Sequence, residues 1–204
     1  MQSGERPASG LPRLRDDTRG AVFVEFLIAF FPVYVFFLCL VQLSLLFTVK
    51  LVTEHAAVNA ARAAAVVIGD DPIRYGNERM HQISARRGGR YKAVRDAALL
   101  TLAPLILNGT VQGVTVEFPP AESPGAPGQN GTLRFAPMGT GSVTKIRVRV
   151  EVDAACRIGF ANRIACPLLG SFTRPRLHVA LTMPTILVRA EAVYPYQGAR
   201  YAYR

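Results

Sequence analysis

Residues 19–52 read RGAVFVEFLIAFFPVYVFFLCLVQLSLLFTVKLV, and this stretch decides the architecture. Between Ala21 and Val49 the only charged side chain is Glu25. About 20 apolar residues, rising 1.5 Å each, suffice to cross a bilayer. The run here is longer, so it spans with tilt or extends beyond one face. A cleaved secretory signal has an apolar core of roughly 7–15 residues followed at once by a small-x-small site. Here Lys50, Leu51 and Val52 follow instead. The expected structure is a transmembrane helix over 21–49, interrupted at Pro32 by a residue that membrane helices tolerate with a kink.

Arg6, Arg13, Arg15 and Arg19 precede the span, whereas Lys50 and Arg62 follow it. That bias predicts a cytoplasmic N-terminus. Cys39 lies inside the span. Cys156 and Cys166 lie in the distal part, with no zinc spacing and no C-x-x-C. We read them as a disulfide formed in an oxidising compartment; the alternative is two buried free thiols.

From Thr48 to Ile68 the chain stays rich in alanine, the best helix former. The first helix should therefore run on past the membrane as a stem over 50–71. It should stop at Gly69–Asp70–Asp71–Pro72. Residues 72–91 are polar and basic. Val94, Ala97, Ala98, Leu102, Leu105 and Ile106 predict a second helix over 91–107. The period then changes to two. Val111–Phe118 and Ser142–Ala155 read as strands, the latter alternating Ile146, Val148, Val150 and Val152 with charged residues. Pro119–Gly131 reads as a loop, and so does Cys156–Ser171. Arg176–Val193 reads as one or two strands interrupted at Pro184. The fold class is α+β: a long transmembrane helix with an Ala-rich stem, a second helix and a small antiparallel sheet over 72–204. The apolar face of the sheet should rest on the alanines.

No catalytic set is present. His55, His81 and His178 are isolated, and nothing beside them has metal-ligand spacing. Gly139–Thr140–Gly141 reads as a turn, and Asn108–Gly109 and Asn130–Gly131 as Asn–Gly turns. The expectation is a non-enzyme without metal or cofactor. The net charge of +10 suggests an acidic partner. The densest basic group, Arg86, Arg87, Arg90, Lys92 and Arg95 beside Gly88–Gly89, reads as a solvated turn. No aromatic–basic stripe favours nucleic acid.

Glu25 is the unusual residue, because a carboxylate at the centre of a span costs about 2.5–3.5 kcal/mol and less near the interface. The stretch Arg19–Gly20–Ala21–Val22–Phe23–Val24–Glu25–Phe26–Leu27 resembles the start of type IV pilins and pseudopilins. Within that class the chain is most similar to the TadE-like family, minor pseudopilins of the tight-adherence pilus. The likeness includes the basic leader, Pro32 within the span, and the run Glu54–His55–Ala56–Ala57–Val58–Asn59–Ala60–Ala61–Arg62–Ala63–Ala64. It covers roughly residues 17–68. Phe30, Phe31, Phe36 and Phe37 make this span unusually aromatic. The resemblance implies a pilin-like fold and a leader over 1–20, cut by a prepilin peptidase between Gly20 and Ala21. It implies that Glu25 acts in assembly with other pilin or pseudopilin subunits. It also implies a bacterial inner-membrane protein with a periplasmic head. The alternative from the residues is an unprocessed membrane anchor whose basic head holds an acidic polymer.

Overall fold

The computed structural model describes residues 18–84, 86–119, 132–135, 145–170 and 185–196. Helix α1 spans Thr18–Val67, 50 residues with Pro32 inside. It starts slightly before the expected boundary and ends at the expected stop. A short 3₁₀ turn follows at Pro72–Tyr75, where the Asp71 side chain accepts from the Ile73 N–H at 3.0 Å. Helix α2 is Gly89–Leu107. The strands are β1 (Gln82–Ser84), β2 (Val111–Glu117), β3 (Thr132–Arg134), β4 (Lys145–Ala155) and β5 (Thr185–Pro195). Helix α3 is Gly159–Gly170. The main sheet is antiparallel in the order β2-β4-β5, and β1 pairs with β3 in a second, two-stranded sheet. The fold is thus α+β with a long apolar N-terminal helix.

The core lies where the stem half of α1 meets α2 on one side and β4 and β5 on others. Ala56, Ala57, Ala60, Ala61 and Ala64 are all buried. Their i, i+1, i+4, i+5, i+8 spacing gives one wide stripe of methyl groups. Small side chains let the neighbouring backbones approach closely. Ile146, Val148, Val150 and Val152 of β4 and Val94, Ala98 and Leu102 of α2 complete the cluster. Asn59 Nδ2 donates to Thr101 Oγ1 at 3.0 Å, a polar clip from α1 to α2. On the other face of β4 the charges are paired: Arg149 with Glu191 and Arg189 with Glu151.

The basic group at 86–95 corrects the sequence reading. Arg86, Arg87, Lys92 and Arg95 are exposed as expected, but Arg90 is fully buried. Its guanidinium donates to the backbone carbonyls of Val67, Asp70 and Glu78, and it lies 4.9 Å from the Tyr75 ring centroid. Carbonyls at a helix C-terminus lack intrahelical donors and carry the negative end of the helix dipole. Arg90 therefore closes the end of α1. The two glycines are structural rather than loose. Gly88 sits at φ +110°, and a Cβ on Gly89 would fall 2.9 Å from the Tyr75 Cα. Replacing Arg90 by Met keeps the stem but removes all three donations. The expected loss of stability is about 2–4 kcal/mol, read as a lower denaturant midpoint of the detergent-solubilised chain.

His81 belongs to the same junction. It adopts φ +59°, its N–H donates to the Ile68 carbonyl at 2.9 Å, and its Nδ1 lies 2.5 Å from Tyr196 Oη. Burial, then the Arg90 charge, holds its imidazole below the usual value. Burial pushes the Tyr196 phenol up to about 12. The unfolded chain thus takes a proton at His81 at higher pH than the folded chain. Stability from neutral His81 is complete above pH ~6.5 and declines as the pH falls towards the depressed folded value. Asp70 also lies below its ordinary value, chiefly through the Asp71 N–H, so its loss falls at lower pH, beneath about 4. Asparagine tolerates a left-handed backbone. Between pH 7 and 5, thermal melting of the His81→Asn variant should decline less steeply than that of the wild type.

Candidate functional site

The candidate site is the bare part of α1. Val22 to Tyr34 is exposed throughout, although the Phe160 ring of α3 meets Phe31 edge-on. Phe26, Phe30 and Tyr34 stack along one face at centroid spacings of 5.4 and 5.9 Å. Val24, Leu27, Ile28 and Phe31 border an apolar groove at Pro32. This helix is long and apolar enough to cross a membrane.

Gly20 and Ala21 lie within the first turns of α1, after its start at Thr18. Gly20 is exposed, and a Cβ built there meets nothing within 4 Å. Glu25 is exposed on the same bare segment. Its nearest basic neighbours in the sequence are Arg13, Arg15 and Arg19. Arg13 and Arg15 fall outside the described residues, as do Gly139–Thr140–Gly141, Asn130–Gly131 and His178. The structure brings none of the described site residues together with the cysteine pair, which packs beside Leu46 near the middle of α1.

The cysteines are joined. Cys156 Sγ and Cys166 Sγ are 2.06 Å apart, across ten positions. The loop expected over Cys156–Ser171 is a correction: Gly159–Gly170 of that stretch forms helix α3, with Pro167 inside. Proline costs a helix its N–H bond but is tolerated when packing holds the rest. Phe160, Ile164 and Leu168 at i, i+4, i+8 are the sequence feature that marks this helix. The paired cysteines drew attention to a loop instead. Burial on one face of α1 begins at Val35, Leu38 and Cys39, which are half-buried. It is full at Gln42 and Val49.

His55 is exposed and shares a 3.0 Å hydrogen bond with Asn59 Nδ2. Among the described residues no group of His, Cys, Asp and Glu is placed to hold a metal. Comparison with protein-family models, with curated proteins and with solved structures finds no match.

Proposed function

We propose that this chain is a minor pilin or pseudopilin that takes part in assembling a tight-adherence, type IVb-like pilus. The observation that carries this reading is a helix of 50 residues that is bare and apolar in its first part and covered by a head in its last. A helix of this kind has two uses. It anchors the chain in the bacterial inner membrane, with a cytoplasmic N-terminus and a periplasmic head. It also offers a surface on which like helices pack.

Glu25 supports the second use. Cleavage between Gly20 and Ala21 by a prepilin peptidase would free an α-amino group with a reference pKa near 8. A neighbouring subunit's Glu25 would neutralise that charge at membrane depth. Neither charge is stable alone in apolar surroundings, so the pair fixes the axial register of packed helices. The alternative, an uncut anchor with a basic polymer-binding head, has weaker support. Arg90 is buried on carbonyls, and Arg149 and Arg189 are ion-paired.

Two measurements test the proposal. The N-terminus of membrane-purified chain should be Ala21 when a prepilin peptidase is present and Met1 when it is not; an intact Met1 in both cases favours the plain anchor. The Glu25→Gln variant should insert in the membrane at wild-type levels. It should co-purify with pilus subunits at least about tenfold less, the scale of 1.4 kcal/mol or more. Unchanged co-purification removes the pairing role.

A further inference from the structure

Helix α3 has two apolar faces. Its inner face carries Ala161 and Cys166, both buried, with half-buried Leu169. Its outer face carries Phe160, Ile164 and Leu168, which are 57%, 46% and 65% exposed. Arg163 is the one charged residue of α3 and lies beside the outer stripe, so it is this stripe of three large apolar side chains, not the whole helix, that calls for an apolar cover. No described element covers the outer face.

The position of α3 along α1 indicates what does. The Phe160 ring packs edge-on against Phe31, with centroids 6.1 Å apart. At the other end of α3, Leu169 lines a groove with Leu43, Leu46, Phe47 and Lys50. The helix therefore runs alongside α1 with its Phe160 end towards Phe31 and its Leu169 end towards Leu43 and Leu46. A bilayer core takes about 20 residues of helix. Every such window within 21–49 contains Phe31. Phe160 therefore lies at hydrocarbon level wherever the span is centred.

Backbone at that depth needs internal partners. Gln42, buried at 1% exposure, supplies one: its Oε1 accepts from the Ile158 N–H at 3.2 Å, just before α3 begins. The Asn162 N–H donates to the Ile158 carbonyl at 2.8 Å. Arg163 is exposed beside the apolar stripe. The Cys156–Cys166 bond ties the far end of α3 back to the end of β4.

We infer that α3 is a membrane-embedded wedge: its Phe160–Ile164–Leu168 face contacts the acyl chains of the bilayer beside α1 and fixes how deeply the head sits. The inference rests on α1 spanning the membrane and is independent of cleavage or pilus assembly. An apolar face set against the bare flank of a spanning helix is continuous with the lipid-facing surface. That continuity favours lipid over a second copy of the chain.

The chain contains no tryptophan, so each introduced one reports alone. Full-length protein carrying Phe160→Trp, Leu168→Trp, Phe36→Trp or Leu100→Trp would be reconstituted singly. The vesicles would be phosphatidylethanolamine and phosphatidylglycerol, with or without brominated acyl chains. Phe36 is in the bare span, and Leu100 is 77% exposed on α2 of the head. The expected result is loss of emission to bromine at positions 160 and 36, with protection from aqueous acrylamide. Position 168 should be quenched best by bromine nearer the headgroup, and position 100 by acrylamide alone. Position 168 reads the same face if the variant at 160 does not fold. Acrylamide quenching at 160 and 168, with bromine quenching at 36, overturns the wedge and leaves the span standing. Protection of 160 and 168 from both quenchers means that protein covers the face, and it also overturns the inference. Failure of bromine to quench position 36 removes the span and the wedge together.

Discussion

The close approach of α2 and the β2-β4-β5 sheet to the alanine stripe of α1 is the contact on which the rest of the structure depends. Burying Ala56, Ala57, Ala60, Ala61 and Ala64 gains little area per residue. The gain is instead in what larger neighbours achieve when backbones come near. Val148, Val150, Val152, Val94 and Leu102 fill the space that alanine leaves and are themselves fully buried. Interiors pack near crystal density, so bulkier residues on the stripe would push the two layers apart. One helix thereby serves two solvents. Its first part is exposed, and its last part is the central strut of the head.

A strut of this kind has to end in a defined place, and Arg90 defines it. The negative end of the helix dipole and the spare acceptor capacity of the carbonyls at Val67 and Asp70 suit positive, multiply donating chemistry. Arginine supplies a planar fork that a lysine would not reproduce. His81 and Tyr196 sit beside it, and the Phe135 N–H donates to the His81 carbonyl at 2.8 Å. The two-stranded sheet is thus joined to the end of α1. The short loop after α1 is ordered by these polar contacts more than by apolar burial.

The lower side of the head follows a different logic. There α3 lies against α1 at residues that the sequence assigns to the membrane. The disulfide closes a short loop around a helix whose own length gives little independent stability. Gln42, the first amide side chain within the apolar run, accepts a backbone N–H at the start of this unit. Polar residues inside a membrane segment are costly, which makes a buried glutamine whose Oε1 accepts a backbone N–H informative about where protein replaces lipid.

Much of this was legible in the sequence because it is local. The apolar run follows from length and hydropathy, the alanine stem from helix propensity and its stop from Gly69 and Pro72, while the second helix and the alternation along β4 follow from spacing of 3.6 and 2 residues. The joined cysteines were also anticipated. What escaped was whatever depends on a partner distant in the chain. Arg90 looks like one more surface cation until the end of α1 is placed beside it. Gln82–Ser84 and Thr132–Arg134 are too short for periodicity to speak, and each becomes a strand only by pairing with the other. Helix α3 was hidden by its proline and its cysteines. That a long apolar helix carries an α+β head follows from the order of residues alone. Which charges are buried and which apolar faces remain uncovered depends on the packed fold, because burial is a property of what packs alongside and not of local order.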